Sequence, residues 1–326
     1  MTRLLGVLLL LACVVHLATA AEIQPPVHPD EAKIIEMIIA LEGHSVEVAE
    51  VPGWARDGIV NRLKEHGIET TGLKSWGVRG KENQGLFLSC LYESNGRVLA
   101  LTGNGPWLRD ESLRALDGMP ELKIIRFDHN GFLRNHPMSP LYSGVGFDAL
   151  SDSNLIEIKL TLGINDAGME QAARIKGLKS FGALHSQVTD AGVKFFEGHP
   201  TLESFAVAEM GNVSQAALES IAKMPKVEHV GFHEAFVTYE GGLKHLLAIK
   251  GRLKTLDLSM SLVNTADLEL VRADHPDAKI TTISPAEIVK RHKFVAGRIA
   301  RTATGQAAEE LKQALAEFET NTKPSK

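Results

Sequence analysis

The chain has 326 residues, 44% of them hydrophobic and 23% charged, an ordinary globular composition. Its 35 Lys and Arg stand against 40 Asp and Glu, a formal net charge of −5, which argues against the basic footprint of a general nucleic-acid binder. Two cysteines, Cys13 and Cys90, make no disulfide framework, so stability must come from a core, and a chain of this length can bury a large one.

The N-terminal segment reads as a leader rather than as part of a fold. Arg3 supplies a positive charge, Leu4 to Leu17 is almost wholly apolar, and Ala18-Thr19-Ala20 is a small-x-small cleavage box. This is the anatomy of a secretory signal peptide over 1–20. The apolar run is shorter than the ~20 residues that cross a bilayer, so no stable membrane span is expected. Leu10-Leu11-Ala12-Cys13 offers a second reading, a lipid anchor through Cys13, but the apolar run continues past it to a better cleavage site. Cleavage leaves Cys90 as the single cysteine. The expected location is secreted or periplasmic.

Residues 21–29 contain three prolines and are expected to be an extended leader. Asp30 opens an amphipathic helix carrying Ile34, Ile35, Ile38 and Ile39, with Gly43 where it should stop. A second helix is expected from Trp54 to His66, ended by Gly67. Together they form an N-terminal cap within 30–95. Gly72-Leu73-Lys74-Ser75-Trp76-Gly77 closely copies Gly177-Leu178-Lys179-Ser180-Phe181-Gly182 and reads as a degenerate first repeat. Leu86 to Leu91 reads as an extra strand, with Cys90 as a buried small apolar residue.

From 96 to 283 one phrase recurs: apolar-x-x-apolar-x-apolar. Its copies start at Leu122, Leu155, Leu178, Leu202, Val227 and Leu253, so successive starts lie 33, 23, 24, 25 and 26 residues apart. A fixed period in the 20s marks a repeat architecture. Alternate side chains of each phrase point inward, as a strand requires. A cassette then opens a helix: Asn165-Asp166-Ala167-Gly168-Met169, Thr189-Asp190-Ala191-Gly192-Val193, Ser214-Gln215-Ala216-Ala217-Leu218, Asn264-Thr265-Ala266-Asp267-Leu268. Its first residue suits an N-cap, and Asp at the second suits the helix dipole.

These phrases resemble the leucine-rich repeat family over roughly 95–283, and the V-T-D-A-G-V cassette is similar to its helix-backed, cysteine-containing or ribonuclease-inhibitor-like subclass and to exported bacterial repeat proteins. The resemblance implies an α/β solenoid with short parallel strands on the concave face, helices on the convex face, and helical caps at both ends. The family's ninth-position asparagine appears here at Asn130 but is Gly163, Ser186, Met210, Ala235 and Ser261 in later copies. The turn ladder must therefore be looser or differently bonded.

The unit starting at Leu122 is longer by about eight residues than its neighbours. Its insertion, 131–142, holds Phe132, Leu133, Met138 and Tyr142 and is either a binding loop or a plain surface loop. Ser284-Pro285-Ala286-Glu287 starts a basic helix, Gly305 breaks it, and an acidic helix follows. A hairpin cap over 284–320 is expected, against a second reading as a basic membrane-surface helix. A disordered tail is expected over 321–326.

No motif of an enzyme is present: there is no H-E-x-x-H, C-x-x-C, G-x-S-x-G or P-loop. No catalytic residue, metal or cofactor is assigned. With Leu178, Phe181 and Ala183 inward, the eighth position of successive phrases reads His129, Leu162, His185, Glu209, Glu234 and Met260, expected as rungs across the concave sheet. His229 and His233 fall on the same face. The fifth position reads Arg126, Lys159, Gly182, Ala206, Gly231 and Asp257, a shallow floor flanked by charge. The candidate binding residues are thus His129, His185, Glu209, His229, His233 and Glu234, with Phe132 and Tyr142 on the loop. Replacing His185, Glu209 and Glu234 by Ala together is expected to leave stability nearly unchanged. The expected function is a non-catalytic, exported protein-interaction module. The alternative is a secreted small-molecule, glycan or metal binder using the polar floor. A hydrolase built on a His/Glu pair is a distant third, because fold alone does not license catalysis.

Overall fold

The computed structural model describes residues 23–43, 45–82, 85–128, 143–208 and 212–321. The proposed signal peptide with Cys13, and the 131–142 loop with Phe132 and Tyr142, lie outside the described residues, as do His129, Asn130 and Glu209.

Among the described residues eleven strands form one sheet in strict chain order, β1 to β11. The first four, β1 (Val46–Val48), β2 (Lys74–Gly80), β3 (Phe87–Tyr92) and β4 (Val98–Asn104), pair antiparallel with one another in that order. From β4 onward the sheet is parallel: β5 (Ile124–Asp128), β6 (Glu157–Thr161), β7 (Ser180–Leu184), β8 (Ser204–Ala208), β9 (His229–His233), β10 (Thr255–Asp257) and β11 (Lys279–Thr281). From β5 to β10 each strand starts at the third position of its phrase. The copy at Gly72 departs from this pattern. Its strand, β2, runs antiparallel to both neighbours, so it belongs to a meander and not to a stacked repeat. Short connections of the Glu93–Arg97 type join adjacent strands head to tail, which only an antiparallel pair allows.

The segments returning between parallel strands lie on one face. They are α3 (Asp110–Ala115), a 3-10 turn at Val145–Leu150, α4 (Asp166–Ala172), α5 (Asp190–Lys194), α6 (Ala217–Ala222), a 3-10 stretch at Leu243–Ile249 and α7 (Thr265–Asp274). Most are one to two turns long, shorter than the full helices the cassette suggested. The core between them and the sheet runs the length of the repeats; Phe181, Phe196 and Phe205 meet in it with ring centroids 4.8 to 5.8 Å apart. Helices are wider than the ~4.8 Å strand spacing, so the opposite sheet face is the concave one.

The two N-terminal helices cover opposite faces of the sheet. α1 (Pro29–Glu42) lies on the repeat-core side through Ile35, Ile38 and Ile39 and ends at left-handed Gly43. Its Glu31, fully buried, accepts from Arg97 at 3.0 Å and from the Val98 N–H at 2.7 Å, which ties α1 to the start of β4. α2 (Gly53–Glu65) packs Ile59 and Leu63 onto Leu91, Ala100 and Ile124, the alternate residues of β3, β4 and β5 that point to the concave side.

The C-terminal cap is three helices rather than a hairpin: α8 (Pro285–Arg291), α9 (Lys293–Thr302) and α10 (Gln306–Asn321). The break falls at His292, whose extended backbone ends α8 while its ring accepts from the Val295 N–H to start α9. Ile288, Val289, Val295, Ile299 and Leu311 form a separate small core that receives Phe236 and Met260 from the repeats. The apolar stripe of the basic segment is therefore buried against protein, as a cap requires, and Phe294 stays exposed. Among the described residues no helix is long and apolar enough to cross a membrane.

Candidate functional site: the open concave face

α2 closes the first part of the concave face, so the exposed part begins at β6. The boundary is a buried ionic cluster. Glu157, at the first position of β6, has a side chain only 3% exposed and accepts from Arg62 (2.7 Å) and from His66 (3.0 Å), with Arg126 of β5 at 3.6 Å. Burial alone would raise its pKa; the hydrogen bonds from His66 and Arg62, with the charges of Arg62 and Arg126, hold it below the usual carboxylate range. None of Arg62, His66 or Glu157 was singled out from sequence. The signal was there in the first strand position, which is Ser180, Ser204, His229 and Thr255 in later repeats but a carboxylate in β6.

Beyond Glu157 the fifth-position row forms as expected. The register pairs Arg126 with Lys159, Lys159 with Gly182, Gly182 with Ala206, Ala206 with Gly231 and Gly231 with Asp257. Of the two glycines, Gly231 has a packing reason, and Gly182 has room for ordinary contact. A Cβ on Gly182 would sit 3.4 Å from the Lys159 stem, and one on Gly231 would sit 3.0 Å from His233 Nε2. Lys159 thus leans toward Gly182 and His233 toward Gly231, with Ala206 partly exposed between them.

His229 and His233 share the concave side of β9. His229 Nδ1 lies 2.9 Å from Thr255 Oγ1; His233 Nδ1 lies 3.0 Å from the Ser259 carbonyl, and its Nε2 is 3.8 Å from Asp257.

The eighth-position residues are placed differently from expectation. β6, β7 and β9 end at the seventh position, and the eighth is a left-handed turn: Leu162 (φ 74°), His185 (φ 48°), Glu234 (φ 58°) and Met260 (φ 68°). They stack along the sheet's edge and are not rungs of its face. Leu162 and Glu234 are buried, and Met260 meets the cap core. Glu234 accepts from Arg298 of α9 at 2.8 Å and lies 3.9 Å from His185 Nε2. Arg298 also donates to the Glu234 carbonyl. Glu234 therefore anchors the C-terminal cap, and its replacement must cost stability, contrary to the sequence expectation. The structure brings His229, His233, Lys159 and Asp257 together on the open face, and puts His185 and Glu234 at its edge.

Cys90 is buried among Trp76, Leu88 and Leu101, and burial pushes its thiol up to about 12, which removes it as a nucleophile at neutral pH. Among the described residues no group of three or more His, Cys, Asp or Glu is placed to hold a metal ion.

No protein-family model matches the sequence, and no curated protein matches it. Among solved structures the chain is similar to a leucine-rich repeat protein of Leptospira interrogans, at 14% identity and a TM-score of 0.34 over 52% of this chain and 45% of that one. An internalin from Listeria monocytogenes matches at 14% and 0.33 over 55% of each chain. A Bacteroides fragilis protein matches at 12% and 0.29 over 53% of this chain and 60% of its own. Each alignment spans about half the length of the solved chain. The chain's own parallel strand–turn–helix repeat, in the register given above, makes its fold a leucine-rich repeat solenoid.

Proposed function

We propose that this chain is a non-catalytic, exported protein-interaction module whose partner docks on the concave sheet beyond the α2 boundary, from β6 to β10. The observation that carries the reading is the open row from Lys159 through Ala206 to Asp257: a regular, partly exposed sheet face that begins where α2 ends. A rigid face of this kind supports recognition by surface complementarity. The loop at 131–142 adds a second contact region in this proposal. Export rests on the leader sequence alone; N-terminal sequencing of protein recovered from the native host should begin at Ala21.

Affinity capture from the native host with the wild-type chain and with Ala206→Arg tests the docking face. Ala206 is half-exposed on the floor, so the arginine obstructs the face without entering the core. A specific partner recovered by the wild type and lost by the variant supports the reading; recovery of the same partner by both overturns it. A second reading, a secreted glycan or small-molecule binder, is favoured by the hydroxyl and imidazole row Ser180, Ser204, His229 and Thr255. Glycan-array binding by the wild type that Ala206→Arg abolishes, with no protein partner captured, selects it.

A further inference from the structure

The open row is polar along its length, and this gives its occupant a direction. Arg126 and Lys159 stand at the β5–β6 end and Asp257 at the β10 end, with the uncharged Gly182, Ala206 and Gly231 between them. Arg126 is partly engaged by Glu157 at 3.6 Å, whereas Lys159 has no ion pair among the described residues. The side chain of Asp257 is 45% exposed. From β6 to β10 there are four strand intervals of ~4.8 Å, so the charges are separated by about 19 Å, the reach of about six extended residues.

We infer that the open concave row takes an extended peptide segment of a partner protein, laid across the strands, with an acidic residue at Lys159 and a basic residue at Asp257. This rests on the protein-interaction reading above. Small residues belong in the middle of the segment, because the Lys159 stem and the His233 ring already overhang Gly182 and Gly231. An α-helix, with a diameter of about 10 Å, would have to displace both. Ser180, Ser204, His229 and Thr255, two residues earlier on the same face, line the row with hydrogen-bonding groups for the segment's backbone. The acid-to-base polarity also sets the orientation: a reversed segment puts like charges together at both ends.

The test is selection of a random octapeptide display library on the immobilised full-length protein, followed by fluorescence anisotropy of one enriched synthetic peptide. Enriched sequences should carry an acid and a base about six positions apart, the even spacing that keeps both side chains on one face of an extended segment. Lys159→Glu and Asp257→Lys should each weaken binding about fivefold, the scale of an exposed ion pair. The double variant should prefer the charge-reversed peptide. Far-UV circular dichroism and melting confirm that each variant is folded. Enriched peptides without the spacing, or wild-type affinity in both single variants, overturn the polarity. If Ala206→Arg still abolishes that binding, the concave docking face itself stands. If Ala206→Arg has no effect, both fail. No enrichment overturns the extended-segment occupant, and capture of a folded partner then decides the broader reading alone.

Discussion

Asp166 and Asp190 do more than complement a helix dipole. The Asp166 carboxylate accepts from both the backbone N–H (2.7 Å) and the hydroxyl (2.6 Å) of Thr189 in the next repeat; Asp190 does the same to Ser214, at 2.7 and 2.6 Å, and Gln215 to Thr238. Asp110 serves Ser143 and Gly144 in the earlier unit. This chain of side chains on the helix side couples neighbouring turns from one repeat to the next. It also explains the cassette glycine, since a Cβ on Gly192 would collide with the Asp166 carboxylate. Gly192→Ala should therefore destabilise by about 1–3 kcal/mol, measured by urea unfolding, because the methyl group and the carboxylate compete for one space. An unchanged midpoint would remove the interlock. A second residue-level signature concerns His199 and His275, both buried. His199 Nε2 sits 3.2 Å from the Ile175 carbonyl; its Nδ1 and both ring nitrogens of His275 have no hydrogen-bond partner among the described residues. Burial holds both imidazoles below the ordinary histidine range. The unfolded chain then binds more protons below about pH 6.5, so stability is full above that pH and falls as pH drops toward the folded values. The same place before the strand is Met119 and Met224 in other repeats, each also followed by proline. His199→Met with His275→Met should flatten the loss of melting temperature between pH 7 and pH 5. An undiminished slope would assign it elsewhere.

At the scale of elements, two helical pieces are held to the sheet by buried charge. α2 lies across β3 to β5 and is pinned at its C-terminal end by Arg62 and His66 on Glu157. Glu157→Ala leaves Arg62 and Arg126 facing each other without their carboxylate and should cost about 3 kcal/mol. Hydrogen exchange should quicken first in α2, while exchange throughout the repeats at one rate would contradict the local pin. Because the Glu157 carboxyl is held below its usual range, its contribution is present at neutral pH and is lost as pH falls into the carboxylate range. The cap has the parallel device in Glu234 and Arg298. Glu234→Ala should lower stability by about 3 kcal/mol and loosen α9. The helices themselves were legible: Pro29–Glu42 and Gly53–Glu65 follow the apolar stripes and stops read from sequence, and Ser284 caps α8 as its spacing suggests. Their destinations were not. An amphipathic stripe says that a face is buried and is silent on which side of a sheet buries it.

Over the whole molecule, one sheet passes from an antiparallel start through parallel repeats to a helical end. The cap core takes in Leu262, Met260 and Phe236 from the last repeats. Removing 284–326 should expose these side chains, lower the unfolding midpoint and raise light scattering, as solenoids without a terminal cap expose core to water. Retention of a monomer with the full-length midpoint would show the repeats to be self-sufficient. The repeat region was readable because a strand phrase must alternate and a stacked unit must recur at a fixed period; both are local constraints, and together they determine the parallel sheet and the row Lys159–Gly182–Ala206–Gly231–Asp257. Where local likeness misled, the cause was equally physical. The segment at Gly72 shares its letters with Gly177, but its neighbours form hairpins and turn β2 antiparallel. The eighth positions share a spacing, but left-handed turns take His185 and Glu234 out of the sheet face. Sequence by itself determined the solenoid, its period and the floor of its concave face. Tertiary structure alone decided how much of that face stays open and where the cap docks, because α2 is pinned over the face at Glu157 and the cap beside it at Glu234, contacts between residues 64 to 95 positions apart that no local pattern encodes.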